Sequence, residues 1–225
     1  MILRPFATLL SVLLPASTAL PVANDRDRLN AGEAIVRLET TASPGEPRLG
    51  EIRRVLDQPA DRLFRAILDC HHYREFMPYV TASDGKLVAQ GTIDCRQTVK
   101  TPFSRRLRSF TVRLRPAGST APDGTSGKVT YTASWSLAPG SEHDIETSRG
   151  RWTLTEWSPG RTLVHLRWVQ DFRLPTRLQD RATSASLPWI LDGLRQQTNR
   201  CRYDVPRAAG CREAPPILPS QTPRP

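Results

Sequence analysis

The middle of the chain alternates apolar and polar residues with a period of two, which is the pattern of strands that bury one face. In the clearest example, "KVTYTASWSL" at 128–137, every second residue is apolar. Similar runs lie at 92–99, 106–115 and 162–172. Segments rich in Gly, Pro and Ser separate these runs, so we expect the strands to pair with their sequence neighbours as an antiparallel meander.

Two segments carry helical periodicity instead. The first, at 57–69, has Pro59 near its start, a residue suited to the first helical turn. Its periodicity places Cys70 on an apolar stripe with Leu63 and Ile67. The second, at 175–200, is the longest helix candidate, and Pro188 inside it predicts a kink. Its predicted buried stripe consists of Leu178, Ala182, Ala185 and Trp189, widened by Ile190, Leu191 and Leu194.

Three stretches occur in an order typical of one superfamily. They are "HYREFMPYV" at 72–80, "GRWTLTEWSPGRTLVHLRWVQDF" at 150–172 and "LPTRLQDRATSASLPWILDGLRQ" at 174–196. With these stretches, the region 47–200 resembles the START-like superfamily, also described as polyketide cyclase/dehydrase-like, Bet v 1-like or SRPBCC proteins.

The resemblance implies an α+β helix-grip fold. In that fold a curved antiparallel β-sheet wraps around a long C-terminal α-helix, short helices follow the first strand, and a hydrophobic cavity often remains between sheet and helix. Functions in this superfamily range from lipid transfer to ligand sensing and cyclisation, so the fold alone does not determine the chemistry.

The N-terminus has the pattern of a secretory signal peptide. Arg4 precedes the apolar run at 6–14, and the small residues Ser17 and Ala19 suit a cleavage site. We therefore expect an exported protein, periplasmic or extracellular. The predicted segments are a signal peptide (1–19), an N-terminal segment (20–46), the START-like domain (47–200) and a Cys-closed loop with a Pro-rich tail (201–225).

The chain is strongly basic, with a formal net charge of +10 that falls by one when Arg4 is removed with the signal peptide. Such a charge favours an anionic partner, either a membrane surface or a cell-envelope polymer. Nucleic acid is the less favoured partner because no nucleic-acid-binding motif is present.

One basic cluster, "KTPFSRRLR" at 100–108, surrounds an aromatic residue with cations and is a candidate membrane-docking tip. The alternative is a solvated hairpin with its aromatic ring turned inward. The docking candidates are Lys100, Phe103, Arg105, Arg106 and Arg108.

The stretch "DCHHYRE" at 69–75 raises the question of a metal site or a nucleophile. Three consecutive residues, Cys70, His71 and His72, cannot converge on one tetrahedral ion, because neighbours on a helix point about 100° apart. Cys70 also lies on the buried stripe, which does not suit an accessible nucleophile. Of the two remaining histidines, His143 is predicted in a loop and His165 on an outward strand face. We predict neither a metal nor another cofactor.

An exported chain with four cysteines is expected to oxidise them, and three pairings are possible. Cys70 and Cys95 both face the core, whereas Cys201 and Cys211 flank a short loop after the last helix. The favoured pairing is therefore Cys70–Cys95 and Cys201–Cys211.

The leading hypothesis is an exported protein that binds or transfers a hydrophobic small molecule of the lipid or isoprenoid type, held between the sheet and the C-terminal helix. The alternative for the inward aromatic residues is that they fill an ordinary core. The predicted lining consists of Phe76, Tyr79, Phe110, Tyr131, Ala133, Trp135, Trp152, Leu154, Trp168, Ala185 and Trp189.

A second hypothesis is a cyclase/dehydrase-type enzyme that acts on a hydrophobic substrate in the same cavity. Such chemistry needs a positioned acid or base, and among the inward positions only Tyr131 is clearly titratable. We therefore assign no catalytic residue. A protein-interaction role for the Pro-rich tail has no support beyond its composition.

Overall fold

The structure is a computed structural model that describes residues 24–39, 49–88, 91–101, 106–120, 128–205, 210–213 and 216. The predicted signal peptide, Phe103, Arg105 and most of the Pro-rich tail lie outside these residues. Within the described ranges, no helix is both long enough and apolar enough to cross a membrane.

Eight strands form one antiparallel sheet. They are β1 (Ile35–Glu39), β2 (Leu49–Leu56), β3 (Val80–Leu87), β4 (Ile93–Lys100), β5 (Leu107–Thr120), β6 (Thr130–Leu137), β7 (Thr147–Ser158) and β8 (Arg161–Asp171). Their order is β1-β2-β8-β7-β6-β5-β4-β3. The predicted meander therefore runs from β3 to β8, and β2 joins it by pairing with β8.

Three α-helices accompany the sheet: α1 (Asp25–Asn30), α2 (Ala60–Leu68) and α3 (Thr176–Thr198). Pro59 precedes α2 as its N-cap, and α3 continues as one helix through Pro188. Two 3-10 helices, Cys70–Glu75 and Cys201–Tyr203, follow α2 and α3. The sheet is open and curved with α3 as its long C-terminal helix, so the helix-grip fold predicted from the sequence is confirmed.

The main core lies between the concave face of the sheet, α2 and the C-terminal half of α3. The aliphatic side chains of that half, Leu187, Ile190, Leu191 and Leu194, have 0% exposure. Burying each of them contributes about 1.5–3 kcal/mol. Gly193 lies among them because a Cβ at this position would overlap the carbonyl oxygen of Phe76.

The folded region extends beyond residues 47–200 on both sides. β1 precedes residue 47 and pairs with β2, and Ile35 joins Leu29 and Val55 in a second small core cluster. After residue 200, Tyr203 is completely buried. Its hydroxyl donates a hydrogen bond of 2.9 Å to Oδ2 of Asp69. This bond joins the 3-10 helix Cys201–Tyr203 to the end of α2.

The disulfides pair as predicted. Cys70 bonds to Cys95 and Cys201 to Cys211, with Cα–Cα distances of 5.6 Å and 5.8 Å. Because Cys70 opens the first 3-10 helix and Cys95 lies in β4, the first bond fixes the connection after α2 to the sheet.

The two neighbouring histidines have structural partners. Nδ1 of His72 lies 2.8 Å from Oδ2 of the buried Asp69, and Nδ1 of His71 lies 3.1 Å from Oδ1 of Asp84. The chemistry-bearing residues of the stretch at 69–75 therefore hold the 3-10 helix in place.

We predict that replacing Cys70 and Cys95 together with alanine lowers the free energy of unfolding by about 3 kcal/mol, measured by urea denaturation. The matched control replaces Cys201 and Cys211. Since the sequence separations are 25 and 10 residues, the control should lose about 0.8 kcal/mol less in the chain-entropy account. An alkylatable thiol in the native, unreduced protein would contradict the pairing.

Candidate functional site

A cavity lies between the concave face of the sheet and the N-terminal half of α3. The turn at 77–80 and the β8–α3 connection at 172–174 form part of its wall. The cavity volume is about 80 Å³ when only the positions available to the centre of a water molecule are counted, and about 950 Å³ when all space between the atoms out to the open mouth is counted. The larger value includes open solvent at the mouth, and the small volume open to a water centre shows that the cavity is narrow.

The gap results from the composition of α3. Its N-terminal half presents Gln179, Ala182, Thr183 and Ser186 to the cavity, whereas its C-terminal half presents large aliphatic side chains to the core. Small and polar side chains cannot fill the space that leucines fill one or two turns later. The cavity therefore lies beside the N-terminal half of the helix, although this half still approaches β2, where a Cβ at Gly50 would lie 2.7 Å from Cγ2 of Thr183.

Aromatic side chains form much of the opposite wall. Of the predicted lining residues, Tyr79, Phe110, Trp135, Trp152 and Trp168 line the cavity. The rings of Trp135 and Trp152 are tilted by 39° with centroids 6.5 Å apart. This is a common geometry for aromatic pairs.

Local contacts hold the Trp135 ring in position. Nε1 of Trp135 donates a hydrogen bond of 3.3 Å to Oγ of Ser148. Gly150 lies opposite Trp135 in β7. A Cβ at Gly150 would overlap the indole ring and the carbonyl oxygen of Arg167, so the glycine makes room for the ring.

Three predicted lining residues lie in the packed core and do not line the cavity. Ala133 and Leu154 have 0% exposure, and the ring of Tyr131 packs against Phe64 of α2 with centroids 5.0 Å apart. They share the inward face with the cavity residues but lie towards the other end of their strands, which α2 covers. Phe76 is also a core residue, with its ring edge-on to Tyr73.

The predicted inward stripe of α3 was placed too far around the helix. Ala185 is exposed, Trp189 is 61% exposed and Leu178 is 36% exposed. Ile190, Leu191 and Leu194 of the predicted face are buried as predicted, and Ala182 and Ile190 line the cavity. The large aliphatic residues of the C-terminal half determine the rotation of α3, because burying them outweighs burying one tryptophan, one leucine and one alanine. Trp189 instead lies beside the cavity, with its ring centroid 6.5 Å from that of Tyr79.

Polar lining residues were not predicted. Gln97 in β4, Gln170 in β8 and Gln179 in α3 all contribute to the wall. The sequence could have indicated Gln97, because in the alternating pattern it falls on the same inward side as Cys95 and Val99. Gln179 accepts a hydrogen bond from the backbone N–H of Phe172 and donates one to the carbonyl of Gln170.

Two non-glycine residues beside the cavity have a left-handed backbone. The φ angles are 66° for Tyr79, in the turn before β3, and 56° for Arg173, in the β8–α3 connection. The surrounding contacts hold both: the N–H of Lys100 donates to the carbonyl of Tyr79, and Asp171 accepts from the N–H of Arg173. Backbone strain of this kind costs about 1–3 kcal/mol and is concentrated at functional sites.

The described lining contains no Asp, Glu, His, Lys or Arg. Its titratable residues are Tyr73 and Tyr79. The hydroxyl of Tyr73 donates to the carbonyl of Ile67, and burial, together with the nearby charge of Asp69, raises the pKa of Tyr73 far above its usual value. The wall is therefore neutral at physiological pH.

Basic residues lie at the same end of the sheet as the cavity. Lys100 and Arg106 are exposed, and Arg106 lies 3.7 Å from Asp144. Arg108 is partly buried and donates to the carbonyl of Asp144. The β4–β5 connection leaves the sheet directly after Thr101, which lines the cavity, so the described part of the predicted docking cluster adjoins the cavity wall.

The potential metal ligands in the described part of the chain have other bonding partners. Among the described residues, Cys201, Cys211 and Glu213 place three potential ligand atoms within 4.8 Å of one another, but both sulfurs belong to a disulfide. His165 lies on the convex face with Nε2 3.4 Å from Oε1 of Glu51, and burial lowers the pKa of His165.

Solved structures establish the class of fold. A STAR-related lipid transfer protein from Xanthomonas axonopodis matches with a TM-score of 0.59 at 16% identity, over 73% of this chain and 98% of that one. Human STARD10 matches with a TM-score of 0.56 at 10% identity, over 82% and 83% of the two chains. The Zhui aromatase/cyclase from Streptomyces sp. R1128 matches with a TM-score of 0.50 at 16% identity, over 72% and 98%.

These similarities define a helix-grip protein. More specifically, the chain has the START-like (SRPBCC) fold, as the resemblance of its sequence implied. No protein-family model matches the sequence, and no curated protein matches it.

We predict that Gln179→Met lowers the free energy of unfolding by about 1–3 kcal/mol, because it leaves the N–H of Phe172 and the carbonyl of Gln170 without this partner. Hydrogen exchange should also accelerate at 170–174, next to the cavity. Gln196→Met on the exposed face of α3 is the matched control. Equal effects of the two substitutions would show that Gln179 does not hold this connection.

Proposed function

We propose that this protein binds and transfers an apolar small molecule of the lipid or isoprenoid type, held between the sheet and the N-terminal half of α3. The observation that carries the proposal is the cavity itself, with its wall of tryptophan, phenylalanine and aliphatic side chains. A concave, mostly apolar pocket with a few polar groups is the usual form of a small-molecule site. Burial in such a pocket contributes about 25 cal/mol for each Å² of apolar surface removed from water.

The dimensions of the cavity favour a slender ligand. Only about 80 Å³ of the cavity is open to the centre of a water molecule, and the 950 Å³ of space between the atoms includes open solvent at the mouth. A single acyl or isoprenoid chain fits such a space better than a lipid with two chains. Entry requires the wall to move apart, and the strained segments at Tyr79 and Arg173 lie where α3 and the sheet would separate.

The neutral lining favours binding over catalysis. An enzyme of the cyclase or dehydrase kind needs an acid or base within hydrogen-bonding distance of its substrate. Of the two tyrosines in the described lining, Tyr73 already donates its hydroxyl proton to a backbone carbonyl. The proposal is therefore a carrier or sensor.

The proposal predicts that Ala182→Trp raises the dissociation constant for an apolar probe such as Nile red by at least about tenfold. Ala182 lines the cavity, and an indole at this position occupies most of the free volume. The matched control is Ala185→Trp, less than one turn away on the exposed face of α3, which should bind as the unsubstituted protein does. If neither the unsubstituted protein nor the control binds any apolar probe, the proposed function is wrong.

We further propose that the mature protein acts outside the cytoplasm and collects its ligand at an anionic membrane. Two disulfides support an oxidising compartment. Lys100, Arg106 and the 52% exposed side chain of Leu107 lie next to the cavity wall. An edge of the sheet with basic and apolar side chains beside the cavity would hold the cavity against the membrane surface.

This docking proposal predicts that replacing Lys100 and Arg106 with alanine weakens binding to vesicles containing anionic lipid by about thirtyfold, at about 1 kcal/mol for each basic residue. Binding of Nile red in solution should not change. The matched control replaces Arg149 and Arg151, which are exposed on the convex face. This replacement removes the same amount of charge. An equal loss in both variants would mean that the overall charge, and not this edge, attracts the membrane.

A further inference from the structure

The cavity wall contains two buried polar side chains with no protein partner. Gln97 is 8% exposed and Thr101 is 4% exposed, and both line the cavity. Among the described residues, Oγ1 of Thr101 has no hydrogen-bond partner, and no side-chain hydrogen bond joins Gln97 to any residue of this part of the chain.

Three other polar side chains that are buried in the wall are paired with protein groups. Oγ of Ser148 accepts from Trp135, the hydroxyl of Ser186 donates to the carbonyl of Ala182, and Gln179 makes two hydrogen bonds to the backbone. More than nine in ten buried polar groups in proteins are paired with protein or ordered water. Gln97 and Thr101 therefore point to a partner that occupies the cavity.

The spacing of the two residues limits the shape of that partner. Gln97 lies on the inward side of β4, and Thr101 follows Lys100, the last residue of that strand. The two are four positions apart, with Val99 between them. At about 3.3 Å for each strand residue, their backbones are roughly 13 Å apart. One oxygen atom cannot serve both side chains, so the partner needs a polar group at two points along its length.

The charge of the wall limits the chemistry of the partner. No residue of the described lining carries a formal charge at neutral pH. An ionised group without a counter-charge is very unfavourable in a buried site. Neutral hydroxyl or carbonyl oxygens, in contrast, can pair with an amide or a hydroxyl.

From these observations we infer the class of ligand: an elongated, uncharged molecule with an apolar body and a hydrogen-bonding oxygen towards each end, one paired with Gln97 and the other with Thr101. This inference rests on the proposed binding function and makes it more specific. The aromatic and aliphatic wall contacts the body, and the two side chains on β4 determine the position of the ligand along the strand.

The test compares three probes of equal chain length: 1,12-dodecanediol, 1-dodecanol and dodecanoate. Their dissociation constants are measured at pH 8 by displacement of Nile red. We expect the diol to bind tightest and dodecanoate to bind at least about tenfold more weakly than dodecanol, because only the carboxylate must bury a charge.

Substitutions then assign the two oxygens. In Gln97→Leu the dissociation constant of dodecanol divided by that of the diol should fall about fivefold, since one hydroxyl of the diol loses its partner. Thr101→Val should give a similar fall. Thr98→Val is the matched control, because Thr98 faces away from the cavity and pairs with Ser109 on β5, and its ratio should equal that of the unsubstituted protein.

The outcomes separate the inference from the proposed function. If Nile red and all three probes fail to bind to a folded protein, the proposed function is wrong. If they bind but the ratio is the same in every variant, or dodecanoate binds as tightly as dodecanol, the proposed function stands and the inferred ligand class is wrong. The thermal unfolding of each variant is measured to check that a lower ratio does not result from a loss of folded protein.

Discussion

The uneven packing of α3 against the sheet is the constraint on which the rest of the structure depends. Four fully buried aliphatic side chains fix the C-terminal half of the helix to the concave face. The N-terminal half presents small and polar side chains to the sheet, and the cavity lies between them and the aromatic wall. A single helix thus supplies both the core and the cavity, and its rotation determines which side chains each of them receives.

Several interactions join α2 and the 3-10 helix after it to the rest of the fold. The Cys70–Cys95 bond joins that 3-10 helix to β4, and the buried carboxylate of Asp69 accepts a hydrogen bond from Tyr203. A buried carboxylate is tolerated only when hydrogen bonds replace its lost hydration. Beside the cavity, backbone hydrogen bonds hold Tyr79 and Arg173 in strained conformations.

The fold and the wall of the cavity carry different information about function. Structures of similar fold include both a STAR-related lipid transfer protein and an aromatase/cyclase, so the fold does not choose between binding and catalysis. The choice depends on the side chains of the cavity wall. Those that the structure describes are aromatic, aliphatic or neutral and polar.

The sequence by itself indicated four strands and the two principal helices, and it favoured one disulfide pairing. Period-two alternation and turn residues mark β4, β5, β6 and β8 because each strand buries one face, and the inward phases of Cys70 and Cys95 favoured their pairing. The three stretches at 72–80, 150–172 and 174–196 were enough to predict the helix-grip architecture. The same alternation correctly placed Trp135, Trp152 and Trp168 on the inner face.

Only the tertiary structure decided where along that face the cavity lies. Alternation identifies the face of a residue but not the end of the strand that a helix will cover, so Tyr131, Ala133 and Leu154 could not be separated from the cavity residues. Ala185 and Trp189 satisfied helical spacing as well as Ile190, Leu191 and Leu194 did, so the predicted apolar face included all five. Which part of that face is buried depends on the total area that each rotation of α3 buries. That area is a property of the assembled sheet and helix, and no local pattern in the sequence contains it.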